Sequence, residues 1–159
     1  MGVHGIWYKN PENNMRSGVI AMLATHDINL IFDIGANVGQ FGKELRQAGY
    51  RGQIISFEPM SVARTELLST SKNDPLWMVA PQAAIGDYDG ETEIHIAGNS
   101  QSSSILRMLN SHKNAAPESN YVGTERGPLH RLDALAPIYL HQDSALFLKW
   151  IHKVMKIVC

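Results

Sequence analysis

Apolar runs alternate with segments of helical periodicity along the first half of the chain. Two runs, Leu30–Ile34 and residues 53–58, are typical of strands buried on both faces of a parallel sheet. Between them, apolar residues recur at i, i+4 and i+7 from Phe41, and Gly49 is placed to end that helix as a left-handed cap. A second helix is predicted at residues 62–71. This order of elements predicts an α/β fold with a parallel sheet and right-handed crossovers.

The flanking segments carry weaker patterns. A third strand is predicted within residues 77–85, where Pro81 lacks a backbone donor and so favours an edge position or a bulge. The remaining predicted elements are a helix within residues 11–26, an added antiparallel strand at 92–97, a long polar loop over 99–128 with a short helix at 105–109, and a buried strand at 145–148.

Composition narrows the class of protein. The chain has 159 residues, 44% of them hydrophobic, which is enough for one globular core. The net charge of −1 gives no positive field, so we expect neither nucleic acid nor a membrane surface as a partner. No run approaches the ~18 apolar residues of a membrane span, and the single cysteine, Cys159, can form no intrachain disulfide. A cytoplasmic protein is expected.

The strongest chemical signal is the segment D-I-G-A-N-V-G, which directly follows the first strand and directly precedes a helix. Gly35 allows a sharp turn that brings bare backbone close to a ligand, and Gly39 allows the helix to start close to the strand. The amides at that helix start suit a carboxylate. Glu58 ends the second strand 19 residues beyond Gly39 and should face the same crevice, where its two oxygens can accept both hydroxyls of a ribose.

This combination predicts a nucleoside site, and the spacing of the glycines distinguishes between nucleosides. A dinucleotide fingerprint has G-x-G-x-x-G, whereas this chain has G-x-x-x-G with Asp33 two residues before it. The difference favours S-adenosylmethionine over NAD. An NAD(P)-dependent oxidoreductase stays open as an alternative.

Five motifs in this order resemble the FkbM family of S-adenosylmethionine-dependent methyltransferases: D-I-G-A-N-V-G-Q-F-G, I-S-F-E-P, A-A-I-G-D-Y-D-G, S-S-S-I-L and R-L-D-A-L. The resemblance implies the class I methyltransferase fold, a Rossmann-like doubly wound sheet. It also implies methyl transfer to a hydroxyl of a sugar or natural product, with a small-molecule or glycan acceptor as partner. A non-catalytic S-adenosylmethionine-binding or interaction module is the other alternative.

The resemblance also implies site residues. Those that would line the methionine and ribose part of the cofactor are Asp33, Gly35, Ala36, Asn37 and Gly39. Glu58 would hold the ribose hydroxyls, and Ala84 and Ile85 would lie near the adenine. Ser102, Ser103 and Ser104 match a family serine cluster without a firm role, and no residue is identified as catalytic.

Other polar residues have simpler explanations. His95 and His130 have no second ligand at metal spacing, so surface histidines are expected and no metal site is predicted. Arg131 and Asp133 are expected to form a local pair or a cap, not a catalytic dyad. The segments G-D and D-G at residues 86–87 and 89–90 are expected to be turns.

The end of the sequence departs from the family pattern. In the family, the strand resembling A-L-F-L-K continues as K-x-D-x-Q-G-x-E, whereas this chain continues K-W-I-H-K-V-M-K-I-V-C. Trp is encoded only by TGG and every Ile codon begins with AT, so starting one base earlier across Trp150 and Ile151 gives GAT, an aspartate codon. The same shift across Met155 and Lys156 gives GAA, a glutamate codon.

One permitted translation of the shifted frame is K-M-D-T-Q-G-Y-E-D, which fits the family motif. We therefore expect that one base was lost near the Lys149 codon. On this interpretation the chain divides into a helical lead-in at 1–29, a partial cofactor-binding domain at 30–149 that lacks the later strands, and an aberrant tail at 150–159. Impaired activity and self-association through an exposed sheet edge would follow.

Sequencing of genomic DNA tests this expectation. It should show an open frame, offset by one base after the Lys149 codon, that encodes K-x-D-x-Q-G-x-E and then further strands and helices. The restored chain should be more soluble, because added strands cover the sheet edge. A stop codon shortly downstream in the offset frame would contradict the frameshift.

Overall fold

A computed structural model describes residues 15–97 and 121–150 of the chain. In order along the chain, the elements of these residues are α1 Met15–Thr25, β1 Leu30–Ile34, α2 Gln40–Gln47, β2 Gln53–Phe57, α3 Ser61–Ser71, β3 Trp77–Val79, β4 Ala84–Gly86, β5 Gly90–Ala97, β6 Tyr121–Arg131, α4 Leu132–Tyr139 and β7 Leu146–Trp150. No helix among them is both long enough and apolar enough to span a membrane.

The strands form two sheets. The first has four parallel strands in the order β3-β2-β1-β7, and the second has three in the order β4-β6-β5. The α/β fold with a parallel sheet is confirmed, as are β1, β2 and the strand predicted at 145–148, which is β7. In the described part of the chain, β3 and β7 are the outer strands of the first sheet, and self-association through such an edge stays a prediction.

Helices cover both faces of the first sheet, as the doubly wound fold predicts. Side chains of α1, α2 and α3 pack with Ile31 and Ile54 on one face. On the other face, α4 packs with Phe32 and Phe57, whose rings meet Tyr139 edge to face at centroid distances of 6.1 and 5.8 Å. Burial on both faces explains why β1 and β2 are nearly continuous apolar runs.

The strand predicted within residues 77–85 is confirmed as β3, but a second strand in the same stretch was not predicted. Residues 77–79 form β3 in the first sheet, and 84–86 form β4, which pairs with β6 in the second. Pro81 lies between them and has no amide to continue a ladder. At this break the chain passes from the first sheet to the second. Strand β3 lies at the edge of the first sheet, as the nearby Pro81 predicted.

The second sheet corrects one expectation. The predicted loop at 99–128 was wrong at its end, because residues 121–128 belong to β6, which pairs antiparallel with β5. Helix α4 was not predicted, and Pro137 lies inside it. The antiparallel strand predicted at 92–97 is confirmed as β5 and begins at Gly90. The short helix predicted at 105–109 lies outside the described residues.

The contact between α2 and β3 gives a test of the fold. A Cβ on Gly42 would overlap the buried Trp77 ring, whose Nε1 donates a 2.9 Å hydrogen bond to Ser56 Oγ. We expect Gly42→Ala to destabilise the protein by about 1–3 kcal/mol through overpacking, measured by urea denaturation. Gly18→Ala in α1 is the control, because its Cβ meets nothing within 4 Å among the described residues.

The control should gain roughly 0.5–1 kcal/mol, since alanine favours a helix over glycine. Equal gains in both variants would show that Trp77 does not pack as described.

Candidate functional site

The turn between β1 and α2 is held against the end of β2. Gly35, Asn37 and Gly39 have φ values of 71°, 51° and 88°, in the left-handed region that glycine adopts without strain. The amides of Gly35 and Ala36 donate to Phe57 O at 2.9 and 3.1 Å. These bonds follow from the β1–β2 register, which aligns Ile34 with Phe57. The turn therefore lies directly beside the residue that follows Phe57.

That residue is Glu58, and its carboxylate joins two loops. Oε2 accepts the Asn37 amide at 2.7 Å, and Oε1 accepts the Met60 amide at 2.9 Å. Glu58 is 5% exposed. Burial raises the pKa of Glu58; the two amides oppose this shift, the Asp33 charge adds to it and the Lys149 charge lowers it. Each oxygen has a second lone pair, so the carboxylate can accept further hydrogen bonds.

The fully buried Asp33 forms an ion pair with the partly buried Lys149 of β7. The two residues are register partners on neighbouring parallel strands, and Lys149 Nζ lies 2.5 Å from Asp33 Oδ1. The same ammonium lies 3.4 Å from Gly35 O and 5.3 Å from the centre of the Phe41 ring. Lys149 therefore ties β7 to the glycine turn.

Lys149 is not among the site residues that were predicted from the sequence. A signal was present, because Lys149 directly follows a buried apolar strand, and the carboxyl ends of parallel strands share one edge of a sheet. Using that signal required knowing that β7 pairs with β1.

Two buried acceptors in the site have no hydrogen-bond partner among the described residues. They are Asp33 Oδ2 and Asn37 Oδ1. Buried polar atoms are rarely left unpaired, and Asp33 is fully buried. The two oxygens suit a ligand that brings hydrogen-bond donors.

Gly39 and Ala36 support the turn through packing. A Cβ on Gly39 would lie 2.9 Å from Leu67 Cδ1 and 3.1 Å from Trp77 Cζ2, so glycine permits close contact of the turn with α3 and β3. Ala36 is buried in the same core cluster as Leu67. Gly39 is also the N-cap of α2 and makes no side-chain cap, and the first turn of that helix has no acidic residue.

The structure brings six predicted residues together, namely Asp33, Gly35, Ala36, Asn37, Gly39 and Glu58. It places Ala84 and Ile85 in β4, which belongs to the second sheet. Each of these two residues is 1% exposed, and Ile85 packs in the cluster that contains Phe57. Ser102, Ser103 and Ser104 lie outside the described residues.

The last two residues of β6, His130 and Arg131, form a local network with Asp89 and Asp133. Arg131 Nε donates to Asp133 Oδ1 at 2.9 Å, which confirms the predicted pair. Asp89 Oδ1 lies 3.2 Å from His130 Nδ1 and accepts the Arg131 amide at 3.1 Å. The hydrogen bond from the Arg131 amide is the main cause that lowers the pKa of Asp89, and the hydrogen bond with His130 is the second. Within residues 15–97 and 121–150, no group of three His, Cys, Asp or Glu side chains could hold a metal ion.

A model of the methyltransferase FkbM domain matches residues 33–144, which is more than half of the chain. The chain belongs to the FkbM methyltransferase family. The match begins at Asp33 and includes Glu58, Ala84 and Ile85, whereas Lys149 lies beyond it. Searches of curated proteins and of solved structures found no match. Membership in the FkbM family identifies the chain as a methyltransferase by descent and agrees with its Rossmann-like sheet.

The Asp33–Lys149 pair leads to a prediction of stability. Lys149→Met should destabilise the protein by about 3–5 kcal/mol, because it leaves a buried carboxylate without its counter-ion. The double variant Asp33→Asn/Lys149→Met should recover most of this loss, because it removes both charges. Urea denaturation measures both effects, with Lys72→Met at an exposed lysine as the control.

The control should change stability by no more than roughly 0.5 kcal/mol. If Lys149→Met proved as stable as Lys72→Met, the Asp33 carboxylate would not depend on Lys149.

Proposed function

We propose that this methyltransferase binds S-adenosylmethionine between the glycine turn and Glu58 and transfers its methyl group to a hydroxyl of a sugar or natural product. The observation that carries the proposal is the position of the Glu58 carboxylate. It lies beside a left-handed glycine turn at the carboxyl ends of two parallel strands, which is where open α/β sheets bind nucleosides.

The polar groups of the site fit the chemistry of this cofactor. S-adenosylmethionine brings an ammonium group and two ribose hydroxyls as donors. The site has two buried acceptors, Asp33 Oδ2 and Asn37 Oδ1, that no donor of residues 15–97 and 121–150 reaches. Its carboxylate suits the start of α2, where Gly39 makes no side-chain cap.

Charge supports the same ligand. The site holds two carboxylates, those of Asp33 and Glu58, and one ammonium group, that of Lys149, so its net charge is −1 when all three are ionised. S-adenosylmethionine has a net charge of +1. The two are therefore complementary.

Each residue has a binding or orienting role in this proposal. Glu58 accepts hydrogen bonds from the ribose hydroxyls through the lone pairs that Asn37 and Met60 leave unused. Gly35 presents bare backbone to the ligand. Ala84 and Ile85 are proposed to border the adenine, by their position in the family motif.

The cofactor supplies a methyl group on a positively charged sulfur, which makes that carbon electrophilic. Transfer to a hydroxyl forms a C–O bond, breaks the C–S bond and releases the hydroxyl proton. The described residues contribute by binding and orienting the reactants, and orientation supplies much of the rate in such reactions. The hydroxyl acceptor is proposed from the family motifs. A non-catalytic module would bind the cofactor without transferring the methyl group to any sugar or natural product.

Cofactor affinity tests the site. Glu58→Ala should weaken binding of S-adenosylhomocysteine about ten- to a hundredfold, because a hydrogen bond to a charged group is worth roughly 1.5–3 kcal/mol. Gly35→Val should weaken binding at least as much, because a branched side chain would stand at a residue with φ of 71°. Isothermal titration calorimetry measures both affinities, and the parent should bind S-adenosylhomocysteine but not NAD.

Matched controls separate loss of binding from loss of folding. Gly49→Val introduces the same side chain at another left-handed glycine, with φ of 98°, away from the glycine turn. Glu66→Ala removes an exposed carboxylate. Gly49→Val should lower the melting temperature with little effect on affinity, and Glu66→Ala should change neither. Unchanged affinity in folded Glu58→Ala and Gly35→Val would contradict the cofactor site, as would a parent that binds NAD instead.

A further inference from the structure

The second sheet contacts the segment that follows Glu58. Glu125, on β6, accepts the Ser61 amide with both carboxylate oxygens, at 3.1 and 3.2 Å. Its Oε1 also accepts Gln82 Nε2 at 3.0 Å, and the same nitrogen donates to Pro59 O at 2.8 Å. Glu125 and Gln82 therefore hold two backbone groups on either side of Met60.

Three consecutive residues are held in this way by three different side chains. Pro59 O accepts from Gln82, the Met60 amide donates to Glu58, and the Ser61 amide donates to Glu125. The direction of the Met60 amide depends on the path of the chain on both sides of it. That amide is one of the two donors that hold the Glu58 carboxylate.

The contact with Glu125 has an electrostatic reason. The N-cap of α3 is Met60, which makes no side-chain cap, and the first turn of that helix contains no acidic residue. A helix start has unpaired amides and positive partial charge, so a carboxylate stabilises it. Here the carboxylate comes from a residue 64 positions away in sequence.

Apolar contacts also hold the second sheet against the segment that follows Glu58. Ile94 of β5 is buried against Met60 and Ala63, and Val38 of the glycine turn packs on the same cluster. The second sheet thus touches both loops that the Glu58 carboxylate joins.

We propose that Glu125 is a positioning residue for cofactor binding, which acts with Gln82 through residues 59–61 to aim the Glu58 carboxylate. This inference rests on the proposed function, because it assigns to Glu58 the task of holding the cofactor. On this proposal the second sheet contributes to cofactor binding indirectly. Its hydrogen bonds go to residues 59–61, and these residues position Glu58.

Backbone exchange tests the positioning without a ligand. In the ligand-free protein, Glu125→Ala should speed hydrogen exchange of the Met60 amide about fivefold or more, since loss of a cap costs about 1 kcal/mol. The amides of β1 should exchange at unchanged rates. Glu125→Gln should lie close to the parent, because the amide oxygen can still accept from Ser61. Unchanged exchange at Met60 in Glu125→Ala would overturn the proposal.

A double-mutant cycle on S-adenosylhomocysteine affinity tests the route through Glu58. Glu125→Ala should weaken binding about fivefold in the parent and have no further effect in Glu58→Ala, because nothing is then left to position. Gln82→Ala should behave in the same way while leaving the α3 cap in place, and it keeps the test available if Glu125→Ala does not fold. Glu91→Ala, on the exposed side of β5, is the control and should bind as the parent does.

The outcomes separate the two proposals. If Glu58→Ala weakens binding but Glu125→Ala and Gln82→Ala do not, the positioning proposal fails and the proposed function stands. If the effects of Glu58→Ala and Glu125→Ala add, Glu125 acts by another route and the proposal also fails. If Glu58→Ala leaves affinity unchanged, the proposed function fails and the inference about Glu125 falls with it.

Discussion

The Glu58 carboxylate is the constraint around which the site is built. A buried carboxylate is costly unless hydrogen bonds replace water, and Glu58 meets this need with the amides of Asn37 and Met60. One amide belongs to the loop after β1 and the other to the loop after β2. The two hydrogen bonds to the Glu58 carboxylate therefore hold these two loops in a fixed relative position. They define the shape of the crevice between the ends of β1 and β2.

Charge balance places a second demand on the same crevice. Asp33 lies close enough to Glu58 to raise its pKa, and Lys149 opposes that effect. Lys149 also neutralises Asp33 directly, at 2.5 Å. The lysine thus allows two carboxylates to lie at one edge of the sheet. Among the residues that the structure describes, the second Asp33 oxygen has no hydrogen-bond partner. The edge of the sheet therefore holds two carboxylates and one ammonium group within a few residues of the glycine turn.

The strands of the first sheet were predicted from the sequence, whereas β5 was the one strand of the second sheet that was. Strands buried on both faces leave continuous apolar runs in the sequence, which is why β1 and β2 were recognised. Strand β7 was recognised from a similar run, although Phe147 is its one buried residue and the other four are half-buried. Strand β6 is rich in polar residues and glycine. It is a strand because residues 121–129 pair with β5 and residues 129–131 pair with β4. Pro81 indicated a break within residues 77–85. The sequence alone could not show that the residues before and after it join different sheets.

The sequence by itself determined the elements that depend on neighbouring residues: the apolar strands, the left-handed glycine turn and the acidic end of β2. It also carried the motifs that place the chain in its family. Only the tertiary structure decided that Lys149 pairs with Asp33 across 116 positions and that Glu125 caps α3 across 64. The reason is physical, because these contacts follow from the order of strands in each sheet, and that order is set by packing of the whole core.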